Sequence, residues 1–162
     1  MTRRLILIRH AKSDWSSGVT VDHARPLNMR GQAAADALGQ WLRHNGHLPD
    51  EALCSTAQRT RDTWQRLGLN APIRYLDTLY HAPGQIMFET LNKATGDCVL
   101  MLGHNPGIAE FAAWMLGTAP AHNRFRDYPT AATLIADFDI DSWADLSPGT
   151  GRAVTFVTPH DL

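Results

Sequence analysis

Cysteines and long apolar runs are both scarce in this 162-residue sequence. Its two cysteines, Cys54 and Cys98, are too few for a disulfide framework or a four-cysteine zinc site. Both lie in apolar segments, which predicts buried free thiols in a reducing compartment. The apolar run at residues 5–8 is too short for a signal peptide, and no run approaches the roughly 18 residues of a membrane span. We therefore expect a cytoplasmic protein with no membrane partner.

An excess of charge of either sign is also missing. Fifteen basic and sixteen acidic side chains give a net charge of −1, which disfavours binding to nucleic acid or to an anionic membrane. Any anion site must therefore be local. The length fits one domain over residues 1–162, and a hydrophobic content of 44% excludes disorder. Since the net charge is small and no helix pattern shows an exposed apolar face, we expect a monomer.

Common motifs of nucleotide, zinc and hydrolase sites do not occur in the sequence. It has no Gly-x-x-x-x-Gly-Lys, Gly-x-Gly-x-x-Gly, Gly-x-Ser-x-Gly, His-Glu-x-x-His or Cys-x-x-Cys. Phosphate-loop NTPases, dinucleotide-binding enzymes and α/β-hydrolases are therefore disfavoured, and we expect neither a cofactor nor a metal.

What the sequence does contain is an alternation of short apolar runs and helical patterns. Strands are predicted at residues 5–8, 52–54, 73–76 and 98–102. The helices between and after them are predicted to run from Asn28 as N-cap to Gly46, over 56–67, over 86–94, and from Asn105-Pro106 to Gly117. Segments 133–139 and 152–158 predict two more strands, either a hairpin or two edge strands. This order predicts a single three-layer α/β/α domain with a mainly parallel central sheet.

Basic and nucleophilic side chains follow three of the predicted strands. Arg9 and His10 follow the first strand, Ser55 and Arg59 follow the second, and His104 precedes a helix N-terminus. Because ligands of open α/β sheets bind at the carboxyl ends of the strands, we expect these side chains to converge on one edge. They would form an anion site that contains a potential nucleophile. Two histidines flanked by arginines would repel a metal cation.

The remaining histidines and most tryptophans indicate ordinary structural roles. Five histidines lie in polar loops or at helix ends and are predicted to be solvated: His23, His44, His47, His122 and His160. Four tryptophans are predicted to belong mainly to the core: Trp41, Trp64, Trp114 and Trp143. Trp15 differs, because it lies in the loop beside the predicted site.

Four stretches together resemble the motifs of the histidine phosphatase superfamily. They are residues 5–13 (LILIRHAKS), 25–27 with 30–31 (RPL and RG), 55–60 with Thr63 (STAQRT), and 103–107 (GHNPG). The resemblance covers residues 4–158 and is strongest to the short, SixA-like phosphohistidine phosphatase branch. It implies a histidine phosphatase or phosphoglycerate mutase-like fold and metal-independent removal of a phosphoryl group.

The resemblance also implies roles for individual residues. His10 would be the transiently phosphorylated nucleophile, and Arg9, Arg59 and His104 would bind the phosphoryl oxygens. Phosphoryl transfer needs this combination of an in-line nucleophile and positive groups. We expect the arginines to lower the pKa of His10. His104 is expected to act as a charged donor, aided by the negative charge of the bound dianion. Lys12, Ser13 and Asp14 are further candidates for substrate contact, but a solvated loop is the favoured interpretation of this segment.

Two positions depart from the superfamily pattern. Ala11 replaces the commonest glycine, a change that we expect to leave activity intact. Residues 79–82 (LYHA) contain no glutamate where larger members carry their general acid, so His81 is the candidate substitute, or else simply lines the pocket.

The missing acid bears on the substrate. An imidazole can leave as a neutral group without an external proton donor, unlike an alkoxide. The sequence thus favours phosphohistidine on a protein as substrate. The alternatives are a small phosphate ester or anhydride, and a non-catalytic module that binds phosphorylated ligands.

Overall fold

The apolar run at residues 5–8 forms the centre of the sheet. In the computed structural model, which describes residues 1–162, its four side chains are all buried. The sheet has six strands in the order β3-β2-β4-β1-β5-β6. The strands are β1 (Arg3–Arg9), β2 (Glu51–Ser55), β3 (Ile73–Leu76), β4 (Cys98–Gly103), β5 (Thr133–Phe138) and β6 (Arg152–Val157).

Helices cover both faces of this sheet. Alternate residues of β1 point to opposite faces: Ile6 and Ile8 pack with the first pair of helices, and Leu5 and Leu7 pack with the second pair. The first pair is α1 (Met29–His44) and α2 (Gln58–Leu67), and the second is α3 (Gly84–Asn92) and α4 (Gly107–Met115). The predicted three-layer α/β/α fold is therefore confirmed. None of these helices combines the length and apolar character needed to cross a membrane.

The sheet is mixed but mainly parallel, as predicted. β1 pairs in parallel with β4 and antiparallel with β5, and β5 pairs antiparallel with β6. The two C-terminal strands therefore lie side by side and antiparallel. β5 is not an edge strand, because it lies between β1 and β6 and all six of its residues are buried.

The predicted start of the last helix is wrong. Helix α4 begins at Gly107, after a cis peptide bond between Asn105 and Pro106. The Asn105 side chain does not cap the helix, because its Nδ2 donates to the carbonyl oxygens of Asp127, at 2.8 Å, and Tyr128, at 3.1 Å. The amide thus ties the residues before α4 to the loop that leads into β5.

Burial also differs from expectation at several sites. Cys98 is only partly buried, because it is the first residue of its strand. His47 is buried against the Trp41 ring, with ring centroids 5.2 Å apart, and is not solvated. Trp143 belongs to the core as predicted, whereas Trp114 is 40% exposed. Four side chains are neither fully buried nor fully exposed: His23, Trp41, Trp64 and His122.

Candidate active site

Three strands bring the predicted site residues to one edge of the sheet. β1 and β4 are neighbours, with Arg9 paired to Gly103, so His10 and His104 emerge side by side. The chain leaves β1 toward β2 on one side and leaves β4 toward β5 on the other. This reversal of strand order opens a crevice where ligands of such sheets bind.

A cavity of about 390 Å³ lies in this crevice. It is lined by every residue to which the resemblance assigned a role, whereas Ser55 lies outside its lining and contacts His104. Its lining residues are Arg9, His10, Lys12, Ser13, Trp15, Asp22, Arg25, Arg59, His81, His104, Asn105 and Thr130.

His10 is a buried, neutral imidazole with one nitrogen free to react. Its Nδ1 lies 2.7 Å from the carbonyl oxygen of Ala11. Because a carbonyl only accepts hydrogen bonds, Nδ1 carries the proton and Nε2 keeps its lone pair. Burial lowers the pKa of His10 to about 3, and repulsion by Arg9, Arg59 and Arg25 acts in the same direction. The arginines act as expected, but burial is the larger cause.

Thr63 connects the loop that follows His10 to helix α2. Its hydroxyl accepts a hydrogen bond from the Ala11 amide at 3.0 Å. The same hydroxyl donates to the carbonyl oxygen of Arg59 at 2.7 Å. One buried side chain therefore connects the residue after the candidate nucleophile to the turn that carries a candidate phosphate ligand.

His104 stands beside His10, with the two ring centroids 5.2 Å apart. Its Nε2 lies 2.8 Å from the Ser55 hydroxyl, which itself accepts from the Ala57 amide at 3.2 Å. A hydroxyl can accept a second hydrogen bond as well as donate its own proton, so this contact fits either tautomer of His104. Where the hydroxyl donates to Nε2, the proton of His104 lies on Nδ1, a buried atom with no hydrogen-bond partner in the protein.

The charge of His104 depends on what the cavity holds. Burial lowers the pKa of His104 to about 2, with further repulsion from His10, Arg59 and His81. The imidazole is thus neutral in the protein alone. The charged donor expected from the sequence requires the negative charge of a bound phosphoryl group to offset this repulsion.

The arginines of the cavity are only partly paired within the protein. Arg59 is only 3% exposed, and its terminal nitrogens bind the backbone oxygen of Asp22, at 3.0 Å, and its carboxylate, at 3.1 Å. Arg9 donates one nitrogen to the carbonyl oxygen of Tyr128 at 3.2 Å. The buried Nε atoms of Arg9, Arg25 and Arg59 have no partner in the protein. Unpaired buried donors of this kind suit phosphoryl oxygens.

Asp22 is the principal residue that sequence reasoning missed. Its carboxylate accepts from Arg25 at 2.8 Å, from Arg59 at 3.1 Å and from the Tyr80 hydroxyl at 2.5 Å. These contacts, led by the Tyr80 hydrogen bond, lower the pKa of Asp22 well below its ordinary range. A short helix over Asp22–Ala24 places Asp22 on the same side as Arg25. The aspartate three residues before the Arg-Pro-Leu motif was the available signal.

His81 enters the cavity from the segment after β3. Its ring stacks on Tyr80 at 4.1 Å, and its Nε2 lies 3.5 Å from the Asp22 carboxylate and 3.3 Å from Arg59. His81 adopts a positive φ of 52°, which is uncommon outside glycine and concentrates at functional sites. The side chain therefore lines the cavity beside Asp22 and Arg59.

Lys12 and Ser13 also line the cavity, in different environments. The Ser13 hydroxyl accepts a hydrogen bond from Arg25, and Ser13 is buried. Lys12 is exposed and forms no ion pair in the structure. Ser13 thus orients an arginine, whereas the Lys12 side chain extends beside the opening.

No group of three or more His, Cys, Asp or Glu side chains is arranged to hold a metal ion. The cavity is instead rich in cationic and neutral donors. It matches the residue types that bind and transfer a phosphoryl group.

Comparisons with known proteins agree with this chemistry. Residues 5–81 match the model of the histidine phosphatase superfamily (branch 1). An uncharacterized protein of Mycobacterium tuberculosis is 38% identical over 161 residues, covering 94% of this chain and 100% of that protein.

Solved structures share the whole fold. A structure from Nakamurella multipartitia, provisionally assigned as the phosphohistidine phosphatase SixA, is 31% identical, with a TM-score of 0.86 over 98% of this chain and 97% of that chain. The protein histidine phosphatase SixA complexed with tungstate superposes with a TM-score of 0.79 at 20% identity, over 97% of each chain, which supports the fold alone.

The fold and the cavity together define a phosphatase. The chain belongs to the histidine phosphatase superfamily, in its SixA-like branch.

Proposed function

We propose that this chain removes phosphate from phosphohistidine on a protein, without a metal, through a phosphorylated His10. The observation that carries the proposal is the neutral imidazole of His10, whose Nδ1 is bonded to the Ala11 carbonyl, beside unpaired arginine nitrogens. This arrangement combines a nucleophile with groups that bind equatorial phosphoryl oxygens.

In the first step, Nε2 of His10 attacks the phosphorus of the substrate. The new bond is phosphorus to Nε2, and the bond from phosphorus to the substrate nitrogen breaks. Arg9, Arg59 and the Nδ1 proton of His104 stabilise the charge on the transferred oxygens. The substrate imidazole leaves as a neutral group, because its other nitrogen retains a proton.

In the second step, water attacks the phosphorus of phosphorylated His10. The bond from phosphorus to Nε2 breaks, and His10 leaves as a neutral imidazole because the Ala11 carbonyl keeps its proton on Nδ1. His81 accepts the proton that the water loses. Nε2 of His81 lies 3.5 Å from the Asp22 carboxylate and 3.3 Å from Arg59.

The open side of the cavity favours a protein substrate. The His81 side chain is 55% exposed and Trp15 is 81% exposed, so both of these cavity residues are accessible from outside. A phosphohistidine side chain on a protein surface can therefore enter. The name given to the relative from Nakamurella multipartitia supports the same substrate class.

A small phosphate ester or anhydride is the second candidate substrate. The pairing of His81 with Asp22 favours it, because a protonated His81 could supply the proton that an alkoxide leaving group requires. Replacement of His81 by alanine would then slow esters with poor leaving groups much more than phosphohistidine.

The test is the dephosphorylation of a histidine-phosphorylated protein in the presence of EDTA by wild type, His10→Ala and His160→Ala. His160 is exposed and lies outside the cavity, so its variant is the matched control. We expect turnover by wild type and the control and none by His10→Ala. Turnover by His10→Ala, or wild-type activity only on an aryl phosphate, would contradict the proposed nucleophile or substrate respectively.

A further inference from the structure

Exposed apolar side chains are concentrated in one segment of the chain, which contributes Trp15 to the cavity. Of nine large hydrophobic residues that are exposed in the chain, four fall between residues 15 and 29: Trp15, Val19, Val21 and Met29. Trp15 and Met29 are the most exposed of these four, at 81% and 84%. Exposed apolar residues that cluster at one place mark interaction sites more often than scattered ones do.

Trp15 is exposed but well supported. The guanidinium of Arg25 lies 3.7 Å from the centre of its ring. Arg25 is in turn bound by the Ser13 hydroxyl and by the Asp22 carboxylate, at 2.8 Å. Ser13 pairs with Leu27 in an antiparallel bridge. The ring is therefore oriented before any partner arrives, which lowers the entropy lost on binding.

A second depression adjoins the catalytic cavity. It has a volume of about 450 Å³ and shares Lys12, Ser13 and Trp15 with the cavity. Met29 and Arg30, at the start of α1, line only the outer depression. Trp15 thus stands between the two. We call the surface formed by Lys12, Trp15, Met29 and Arg30 the outer rim.

The outer rim carries a positive charge. Lys12 and Arg30 are exposed, and neither forms an ion pair within the chain. Asp14 also lines this depression; its carboxylate accepts hydrogen bonds from the backbone and hydroxyl of Ser16, at 2.8 and 2.9 Å, and its charge leaves one net positive charge among these three side chains. An aromatic and a methionine side chain flanked by two unpaired cations complement a surface with apolar and acidic residues.

We propose that the outer rim is the docking surface for the protein substrate, and that it selects proteins with acidic and apolar residues around the phosphorylated histidine. This inference rests on the proposed function. Its geometric basis is continuity: a phosphohistidine that enters the cavity places the surrounding protein surface over Trp15, Met29 and Arg30. A small phosphoramidate fits within the cavity and contacts neither Met29 nor Arg30.

The experiment compares kcat/KM for two substrates across a set of variants. The protein substrate is an acidic phosphocarrier protein phosphorylated on histidine with phosphoramidate, and the small substrate is phosphoramidate itself. The variants are Trp15→Ser, Met29→Ser and Arg30→Gln. The control is Trp114→Ser, which removes an exposed tryptophan from α4, far from the rim in sequence and outside both depressions.

We expect Trp15→Ser to lower kcat/KM for the protein substrate at least about tenfold. Loss of an aromatic side chain that becomes buried in an interface commonly has an effect of this size. Met29→Ser and Arg30→Gln should lower it about threefold or more while leaving kcat/KM for phosphoramidate unchanged. The control should behave as wild type with both substrates. Higher salt should weaken turnover of the protein more than that of phosphoramidate.

Other outcomes overturn the inference. If wild type dephosphorylates the protein and all three variants do so equally well, the docking surface lies elsewhere and the proposed function stands. If Trp15→Ser lowers kcat/KM equally for both substrates, and the other two variants change kcat/KM for neither, then Trp15 supports Arg25 and is not a docking residue. If wild type acts only on phosphoramidate, both the protein substrate and its docking surface are excluded.

Discussion

Burial, more than the neighbouring arginines, keeps the imidazole of His10 unprotonated at neutral pH. Removal from water penalises the imidazolium, and the arginines add repulsion, so that the pKa falls to about 3. The sequence showed the arginines, which adjoin His10 or belong to recognisable motifs. It did not show that the ring is 6% exposed.

The lowered pKa of His10 predicts a dependence of stability on pH. The folded pKa of about 3 lies below the ordinary value of 6.5, so the unfolded chain takes up a proton that the folded protein does not. The contribution of His10 is therefore complete above pH 6.5 and is lost as the pH falls toward 3.

Chemical denaturation at pH 7 and pH 5 measures this effect. The free energy of unfolding of wild type should fall between the two values by about 2 kcal/mol more than that of His10→Asn. An equal fall in both proteins would show that His10 is protonated in the folded state.

The hydroxyl of Ser55 predicts a second effect at this scale. If this hydroxyl donates to Nε2 of His104, the proton of that ring stays on Nδ1, the buried nitrogen that has no partner in the protein. Ser55→Ala should lower kcat by a factor of about five to ten, the value of one hydrogen bond, with little change in KM. Nitrogen NMR shifts of His104 should show a mixture of tautomers in the variant. Unchanged kcat and an unchanged tautomer would remove Ser55 from this role.

Removal of the Asp22 charge is expected to strengthen anion binding in the cavity. Its carboxylate occupies Arg25 and Arg59 and reduces the positive potential of the cavity. Asp22→Asn should therefore strengthen inhibition by inorganic phosphate by about fivefold. Asp14→Asn, which removes a carboxylate that touches neither arginine, is the control. Weaker inhibition in Asp22→Asn would mean that Asp22 orients the arginines more than it offsets their charge.

At the scale of elements, two close approaches place the loops of the site. Gly31 of α1 lies so near the carbonyl of Lys12 that a Cβ would collide with that oxygen. Gly107, the first residue of α4, is equally close to the carbonyl of Ala82. These contacts fix the loop after β1 against α1, and the His81 segment against the helix that follows His104.

The second contact predicts the effect of a single added methyl group. Gly107→Ala should destabilise the protein by about 1–3 kcal/mol. The added Cβ would collide with backbone atoms of Ala82 and Pro83, and no flexible side chain is present that could move out of its way. Gly84→Ala is the matched control, since a Cβ there meets its nearest neighbour at 3.4 Å, an ordinary contact. Thermal unfolding of both variants measures the difference. Equal stability would show that the His81 segment can move away from α4.

At the scale of the whole molecule, apolar patterning predicted the layers but gave no strand order. The alternation of strands and helices was sufficient for a three-layer domain, because each element carries its own apolar pattern. The position of β5 inside the sheet depends on its burial on both faces. The start of α4 depends on a contact between Asn105 and residues about 22 positions later in the chain. Neither is encoded in local periodicity.

The residues of the cavity could likewise be predicted only in part. The sequence predicted Arg9, His10, Arg59 and His104 because each follows a strand, and the structure brings them together. It missed Asp22 and Arg25 as cavity residues, since both come from an aperiodic loop. Their positions are determined by the pairing of Ser13 with Leu27 and by contacts with Arg59 and Tyr80.

The central claim is that the phosphoryl group passes through Nε2 of His10, and it can be tested by trapping that intermediate. Wild-type protein is mixed with phosphoramidate in EDTA, quenched in alkali within milliseconds, and digested for mass spectrometry. We predict one phosphoryl group, stable in alkali and labile in acid, on the peptide that contains His10, and none in His10→Ala. Phosphate on a different residue, or rapid turnover with no phosphorylated enzyme at any time, would contradict the account.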